Sequence, residues 1–343
     1  MQILAHNMSE LPWNSPQWAH DILKETRKIE HCVGFINYVG GCLSSEKWEL
    51  FGRGLGYYGQ HNEPYADERW IEFLKERFGD ESAAKHFLNA YNISAGITPG
   101  VNAIAWCPHD GRCPHQLILK YWHWTDQDER FSNFANPARG ATLLPVRHYS
   151  RVVAQRGRAF RNNDGSDYQW TLAEANRRLH DHPGEQELIW GHVDYQVTPE
   201  AHMAKIRAMG EACLAEATAA MPRVKSNLDQ AALIQNRMKA YKLLTDYYER
   251  KVLAAISALI YSYNRDPAEK TQAERLADQT VELYERAANF IYEALDQKRG
   301  EMKGGWHDEY GTLPKLIQME REERARLPIL FHWPDATERS LQR

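Results

Sequence analysis

Residues 32–39, Cys32-Val33-Gly34-Phe35-Ile36-Asn37-Tyr38-Val39, form a short apolar run that ends in a polar pair. Gly40-Gly41 follows and leads into Glu46-Lys47-Trp48-Glu49-Leu50-Phe51. Such a run reads as a buried strand of parallel type, continued by a helix. It delivers Asn37 and Tyr38 to the carboxyl end of the strand, the edge at which open α/β sheets and (β/α) barrels place their chemistry. A parallel strand needs neighbours, and this sequence offers few. Only the segment before it has strand character, and almost everything after Glu63 is helical or loop in pattern. The order strand, helix, strand, helix over residues 1–62 is a βα repeat, yet two units cannot close a barrel of eight. The expected fold is therefore mainly α: a short βα segment over 1–62 resembling the end of a (β/α)8 barrel, then an α-helical domain over 63–343.

The helices are announced by their ends. Asn14-Ser15-Pro16 places Ser15 as N-cap and Pro16 at the first helical position, with Trp18, Ile22, Thr26 and Ile29 on one face. Asp67 opens a helix with Trp70, Phe73, Leu74 and Phe78 inward and Gly79 as its stop. Asp80 caps the next, which carries Ala83, Ala84, Phe87, Leu88 and Tyr91. Pro145-Val146-Arg147-His148-Tyr149 reads as a short helix, and Thr198-Pro199-Glu200 starts one with Met203, Ile206, Met209, Cys213 and Leu214 inward, ended by Pro222. Residues 226–300 then predict a long antiparallel helical hairpin: apolar residues recur at helical spacing to about Tyr263, and Asp266-Pro267 restarts the chain. Gly54-Leu55-Gly56-Tyr57-Tyr58-Gly59 matches a dinucleotide-binding string literally. It follows helix-like sequence instead of closing a strand, so it reads as an irregular helix exit.

The chain has 343 residues and a formal net charge of −4, which lacks the basic excess that neutralises nucleic-acid phosphates or holds an anionic membrane. No apolar run approaches the length of a bilayer span. Nucleic acid and membrane are thus not expected partners. No basic-then-apolar leader opens the chain, whose first residues read as the interior of a domain, a strand entering a barrel midway.

Phe51-Gly52-Arg53-Gly54-Leu55-Gly56-Tyr57-Tyr58, Ala66-Asp67-Glu68-Arg69-Trp70-Ile71 and Lys75-Glu76-Arg77-Phe78-Gly79-Asp80-Glu81-Ser82-Ala83-Ala84 carry a resemblance. Together they resemble the exit from the last barrel strand into the helical C-terminal domain of α-glucuronidase-type glycoside hydrolases. The resemblance implies an enzyme cleaving a polysaccharide or oligosaccharide, in which the helical domain buttresses the barrel and lends side chains to the rim of the sugar site. It implies a carbohydrate partner and allows a periplasmic or extracellular place if the chain continues upstream; no cofactor is expected. Such enzymes carry complete barrels with carboxylates on several strand ends, so another chain supplying the missing strands is a further expected partner. No catalytic acid of the family aligns with a residue here.

Glycoside hydrolysis uses two carboxylates roughly 5–10 Å apart. Glu10 follows the first strand-like segment, with Trp13 near enough to form a sugar platform, and Glu63 lies in Gln60-His61-Asn62-Glu63-Pro64-Tyr65. These two are the catalytic candidates, although a solvated loop carboxylate is the commoner use of either. Asn37, Tyr38, His61, Trp106, His109, Trp122 and Trp124 are the candidate sugar contacts, because flat aromatic rings stack on pyranoses and imidazoles bond hydroxyls. Residues 105–145 form a long aromatic loop around Cys107-Pro108-His109-Asp110-Gly111-Arg112-Cys113-Pro114-His115. Three readings stand for it: a proline-stiffened loop with unlinked thiols, which is favoured; a Cys107–Cys113 disulfide; or a metal held by Cys107, His109, Cys113 and His115 at non-standard spacing. The alternative to an enzyme is a non-catalytic helical module that grips a sugar or a protein.

Overall fold

The computed structural model describes residues 2–4, 14–30, 36–38, 45–104, 121, 143–144, 146–156, 197–291, 293–294 and 313–332. Strands β1 (Gln2–Leu4) and β2 (Ile36–Tyr38) pair in parallel, Ile3 opposite Asn37 and Leu4 opposite Tyr38. Parallel neighbours require a crossover. Helix α1 (Pro16–Thr26) lies in it and so returns the chain against the strand direction. Helix α2 (Ser45–Gln60) follows β2 and runs alongside α1 in the same sense. At the start of α1, the Asn14 side chain accepts the backbone N–H groups of Leu50 at 2.7 Å and Phe51 at 3.3 Å. At its end, Arg27 donates to Asn62 Oδ1 at 3.1 Å and to the Tyr58 and His61 carbonyls. The βα repeat is therefore present, with β2 confined to Ile36–Tyr38 among the described residues.

Two expectations need correction here. The string from Gly54 to Gly59 is no irregular exit; it is the body of α2, which continues unbroken to Gln60. Gly54 is there because α1 comes so close: a Cβ on it would stand 2.9 Å from the Ala19 Cβ and 3.2 Å from the Pro16 Cα. The same approach rotates α1. Its Ser15 cap is as expected, accepting from Trp18 N–H at 3.1 Å. Its buried face is Ala19, His20, Leu23 and Thr26, whereas Trp18 and Ile22 are half-buried and Ile29 is exposed. A helix pressed on a glycine offers small residues to the contact and pushes large ones to its flanks.

Helices α3 (Asp67–Phe78) and α4 (Glu81–Ser94) form a tight pair. Gly79 takes the left-handed φ of 75° that ends α3, and Asp80 caps α4 by accepting from Ser82 and Ala83 N–H. After α5 (Ile97–Ile104) come α6 (Val146–Arg156) and α7 (Pro199–Ala220). The short helix expected at 145–149 thus extends to Arg156, and Leu144 N–H bonds the Val197 carbonyl at 2.9 Å beside it. The hairpin is α8 (Leu228–Asn264) with α9 (Pro267–Ile291). At 37 residues α8 is roughly 55 Å long. It is the axis of the helical domain, touching α6, α7, α9 and the 3-10 turn Leu327–His332 that follows α10 (Leu313–Arg326). The residues that recur at helical spacing along α8, Ile234, Met238, Tyr241, Leu244, Tyr248, Val252, Ile256 and Leu259, are all buried. The left-handed turn between the two hairpin helices is made by Arg265, φ 57°, whose guanidinium donates to the Phe331 carbonyl at 2.8 Å.

Helix α7 lies between α4 and α8. Its start is a prediction in itself: the Thr198 hydroxyl accepts from Ala201 N–H at 3.2 Å, and Pro199 spends no donor. Thr198→Ala is expected to lose about 1 kcal/mol in urea unfolding, and Thr198→Ser to stay within about 0.5 kcal/mol of the parent.

An ion pair sits wholly inside. Lys251 on α8 and Glu320 on α10, both with fully buried side chains, pair at 2.5 Å. Tyr247 Oη donates to Glu320 at 2.8 Å and Thr280 Oγ1 at 3.2 Å, so α8, α9 and α10 share one polar knot.

Candidate functional site

The direction of the chain sorts the candidate residues before any distance does. Helices α1 and α2 run against β1 and β2, so their ends point to the edge where the strands begin. Asn37 and Tyr38 end β2 and stand at the opposite, carboxyl edge. His61 and Glu63 follow α2 directly and stand at the edge of the helix ends. The described candidates therefore belong to two places.

The second place is an aromatic stack at the surface, with Tyr57 half-buried and His61, Glu63 and Arg69 exposed. Tyr57 Oη donates to Glu63 Oε2 at 2.5 Å. The His61 ring stacks on Tyr57 with centroids 4.4 Å apart and planes 21° from parallel. The Arg69 guanidinium lies over the same ring at 3.7 Å. Two planar groups that close cannot share a face, so both faces of Tyr57 are taken. The hydrogen bond to Glu63 is the main cause holding the Tyr57 hydroxyl above its usual pKa, and the Arg69 charge opposes it. Behind the stack, His20 meets Tyr58 edge-on at 5.0 Å, Trp70 Nε1 donates to Tyr58 Oη at 3.3 Å, and Asn92 Nδ2 donates to Tyr65 Oη at 3.3 Å. Burial raises the Tyr65 hydroxyl well beyond its ordinary range. Arg27 covers the last carbonyls of α2, where a cation meets the negative end of the helix. This constellation fixes the junction between the βα layer and α3 and α4.

A tyrosine–glutamate hydrogen bond that sequence reading missed lies in the helical domain. Tyr149 Oη donates to Glu200 Oε2 at 2.6 Å. Burial raises the Glu200 carboxyl, the Tyr149 hydrogen bond lowers it, and the charge of Glu269 raises it again. Glu200 as a residue stays exposed, so the upward push is limited. Both acids sit in the first turn of a helix behind a proline, a pattern that reads only as charge complementing a helix N-terminus. Nothing in sequence signals that the charge of Glu269 is felt at Glu200.

Glu10, Trp13, Trp106, His109, Trp122 and Trp124 lie outside the described residues, as do Cys107, Cys113 and His115. Within 105–145 the described residues are Tyr121, Leu143 and Leu144, and Tyr121 is the aromatic one among them. It is 1% exposed, accepts the Lys251 ammonium over its ring at 4.3 Å, and donates its backbone N–H to Glu323 Oε2 at 3.1 Å. Among the described residues, no group of three or more His, Cys, Asp or Glu is placed to hold a metal ion, and no helix is long and apolar enough to cross a membrane.

Among solved structures, the chain is similar to a GH138 enzyme targeting pectin rhamnogalacturonan II, with a TM-score of 0.66 at 14% identity. The likeness covers 95% of this chain and 38% of that one, so the chain spans well under half the length of the structure it matches. At that identity it shows the fold: the mainly α arrangement found in part of a glycoside hydrolase. No protein-family model matches the sequence. No curated protein matches it.

Proposed function

We propose that this chain is the barrel-end and helical part of a glycoside hydrolase that acts on a uronic-acid-containing polysaccharide or oligosaccharide. The observation that carries the reading is the fold likeness over 95% of the chain, which takes in the βα segment and the helices together. The α-glucuronidase-type resemblance of residues 51–84 points the same way. In this reading α8 and its neighbours hold the βα layer from one side, through α4 and α7. The reacting face is the carboxyl edge of β1 and β2, where barrels place their acids. Asn37 and Tyr38 end there, and Glu10 follows β1 by six residues, so Glu10 is the carboxylate proposed to act and Trp13 its sugar platform. Trp106, His109, Trp122 and Trp124 supply the rim. Glu63 and His61, engaged with Tyr57 at the other edge, serve the junction in this reading and not the chemistry.

The two three-residue strands among the described residues make no stable parallel sheet alone. Further strands, brought by another chain or another part of a longer polypeptide, complete the barrel and supply the second acid. The span of 38% favours a second reading, in which the chain alone binds sugar and turns nothing over. Incubation with rhamnogalacturonan II oligosaccharides, followed by reducing-end release and by calorimetric binding, separates the two. Release that disappears in Glu10→Gln with binding retained supports the enzyme. Binding without release supports the module, and absence of both overturns the carbohydrate reading.

A further inference from the structure

We infer that the flank of α1 carrying Trp18, Ile22 and Ile29 is a docking face whose occupant is a βα unit of a second polypeptide, its helix against this flank and its strand beside β1. The inference rests on the barrel reading proposed above and adds where the completing unit attaches.

At about 100° per residue, Trp18, Ile22 and Ile29 fall within about 40° of one another. Trp18 and Ile22 are half-buried. Ile29 stands in the turn that closes α1, where its N–H donates to the Thr26 carbonyl at 3.1 Å, and it is 53% exposed. The residues that tie α1 to the end of α2 lie about 140–180° round the helix from this stripe. They are His20, edge-on to Tyr58, and Arg27, which holds the last carbonyls of α2. The stripe therefore faces away from them. One flank of α2 is taken by α3: Arg53 and Arg77 lie over the Phe73 ring at 4.7 and 4.9 Å, and both bond Glu49. Among the described residues, the row α1, α2, α3 is thus closed at α3 and open at α1.

The layer itself says what fits there. β1 and β2 are parallel neighbours, α1 lies in their crossover, and α2 runs beside α1 in the same sense. Parallel crossovers keep one hand, so the same unit repeated once past β1 lays a strand along β1 and a helix along the stripe. The likeness reported above covers 95% of this chain and 38% of the other, so in that structure this fold is part of a larger body. The border of the stripe is charged: Glu25 pairs with Lys28 at 2.6 Å, and Asp21 and Lys24 are exposed as well. An apolar centre inside a charged rim is how separately folded partners meet, which assigns the unit to a second polypeptide.

The test is photo-cross-linking of the full chain, with a benzoylphenylalanine label at position 29 and the protein made in the cells it comes from. The expected product joins it to a different polypeptide, through a peptide whose apolar residues recur at helical spacing after a strand-like run. The same label at position 24, on the exposed polar side of α1, is expected to give none of that product. A cross-link to a second copy, within the same polypeptide or to a protein without βα units overturns the inference, as does no cross-link or an equal yield from both positions. Ile29→Glu is expected to lower recovery of the partner with the full chain about tenfold, and Ile29→Leu to retain it. Urea unfolding of both variants is expected to match the parent, because the residue is exposed. Equal recovery with the two variants overturns docking on this flank. Oligosaccharide binding by the chain alone tests the carbohydrate reading separately, since no Ile29 variant is expected to change it.

Discussion

Lys251→Met is expected to destabilise the protein by about 3–5 kcal/mol, because it leaves Glu320 buried without its cation. Tyr247 and Thr280 still donate to the carboxylate, but two neutral donors do not replace an ammonium at 2.5 Å. Removing both partners tells cost from specificity. Lys251→Met combined with Glu320→Leu fills the space with apolar atoms and leaves no charge to desolvate, so it is expected to recover most of the loss. The single variant also acquires a pH dependence of known sign. Burial already raises the Glu320 carboxyl above its usual range against the pull of Lys251. Without Lys251 it rises further, and the folded state then binds a proton that the unfolded state has released. The stability of such a group is fully present below the unfolded pKa and is lost as pH rises through the folded one. Urea unfolding of Lys251→Met should therefore show a smaller deficit near about pH 5 than near about pH 8. An equal deficit at both would mean that Glu320 finds another cation.

That pair also marks what was legible in the sequence and what was not. Helix ends were, because their signals are local: Ser15 before Pro16, Asp80 after Gly79, Thr198 before Pro199 and Asp266 before Pro267 each act within one turn. The core stripe of α8 was too, since so long a helix repeats its period until phase is fixed. Lys251 and Glu320 were not, for each alone in a helix reads as a solvated charge, and only the docking of α10 on α8 makes them partners. For α1 the apolar pattern grouped Trp18, Ile22, Thr26 and Ile29 on one face, of which Thr26 is buried; the small Ala19 is buried against Gly54, a contact that depends on the neighbour's missing Cβ. For the candidate site, β2 and its ending residues were legible as a strand delivering Asn37 and Tyr38. That His61 and Glu63 belong to the other edge followed only from knowing that α1 and α2 run side by side. The Tyr149–Glu200 hydrogen bond joins two helices distant in sequence, which no spacing rule connects.

Gly54→Ala is expected to destabilise the protein although alanine is the better helix former. The added methyl would stand 2.9 Å from the Ala19 Cβ and 3.2 Å from the Pro16 Cα, and backbone cannot yield as a side chain can. Overpacking of that kind costs about 1–3 kcal/mol, and the gain of about 1 kcal/mol in helix propensity offsets only part of it. Gly52 and Gly56 supply the control within the same helix, because a Cβ on either meets nothing within 4 Å and both residues are exposed. Gly52→Ala and Gly56→Ala are thus expected to stabilise by about 0.5–1 kcal/mol each, the entropy a helical glycine gives up. Opposite signs from chemically identical changes would show that the glycine at 54 serves contact with α1. The Gly54 and Gly56 variants also test the literal dinucleotide string, whose glycines at 54, 56 and 59 would let the backbone turn tightly and approach a pyrophosphate. NADH titration is expected to show no binding by the parent protein. Binding that Gly54→Ala and Gly56→Ala abolish and Gly52→Ala, outside the string, leaves intact would instead restore the phosphate-loop reading, and would require α2 to open where its helix is continuous from Ser45 to Gln60.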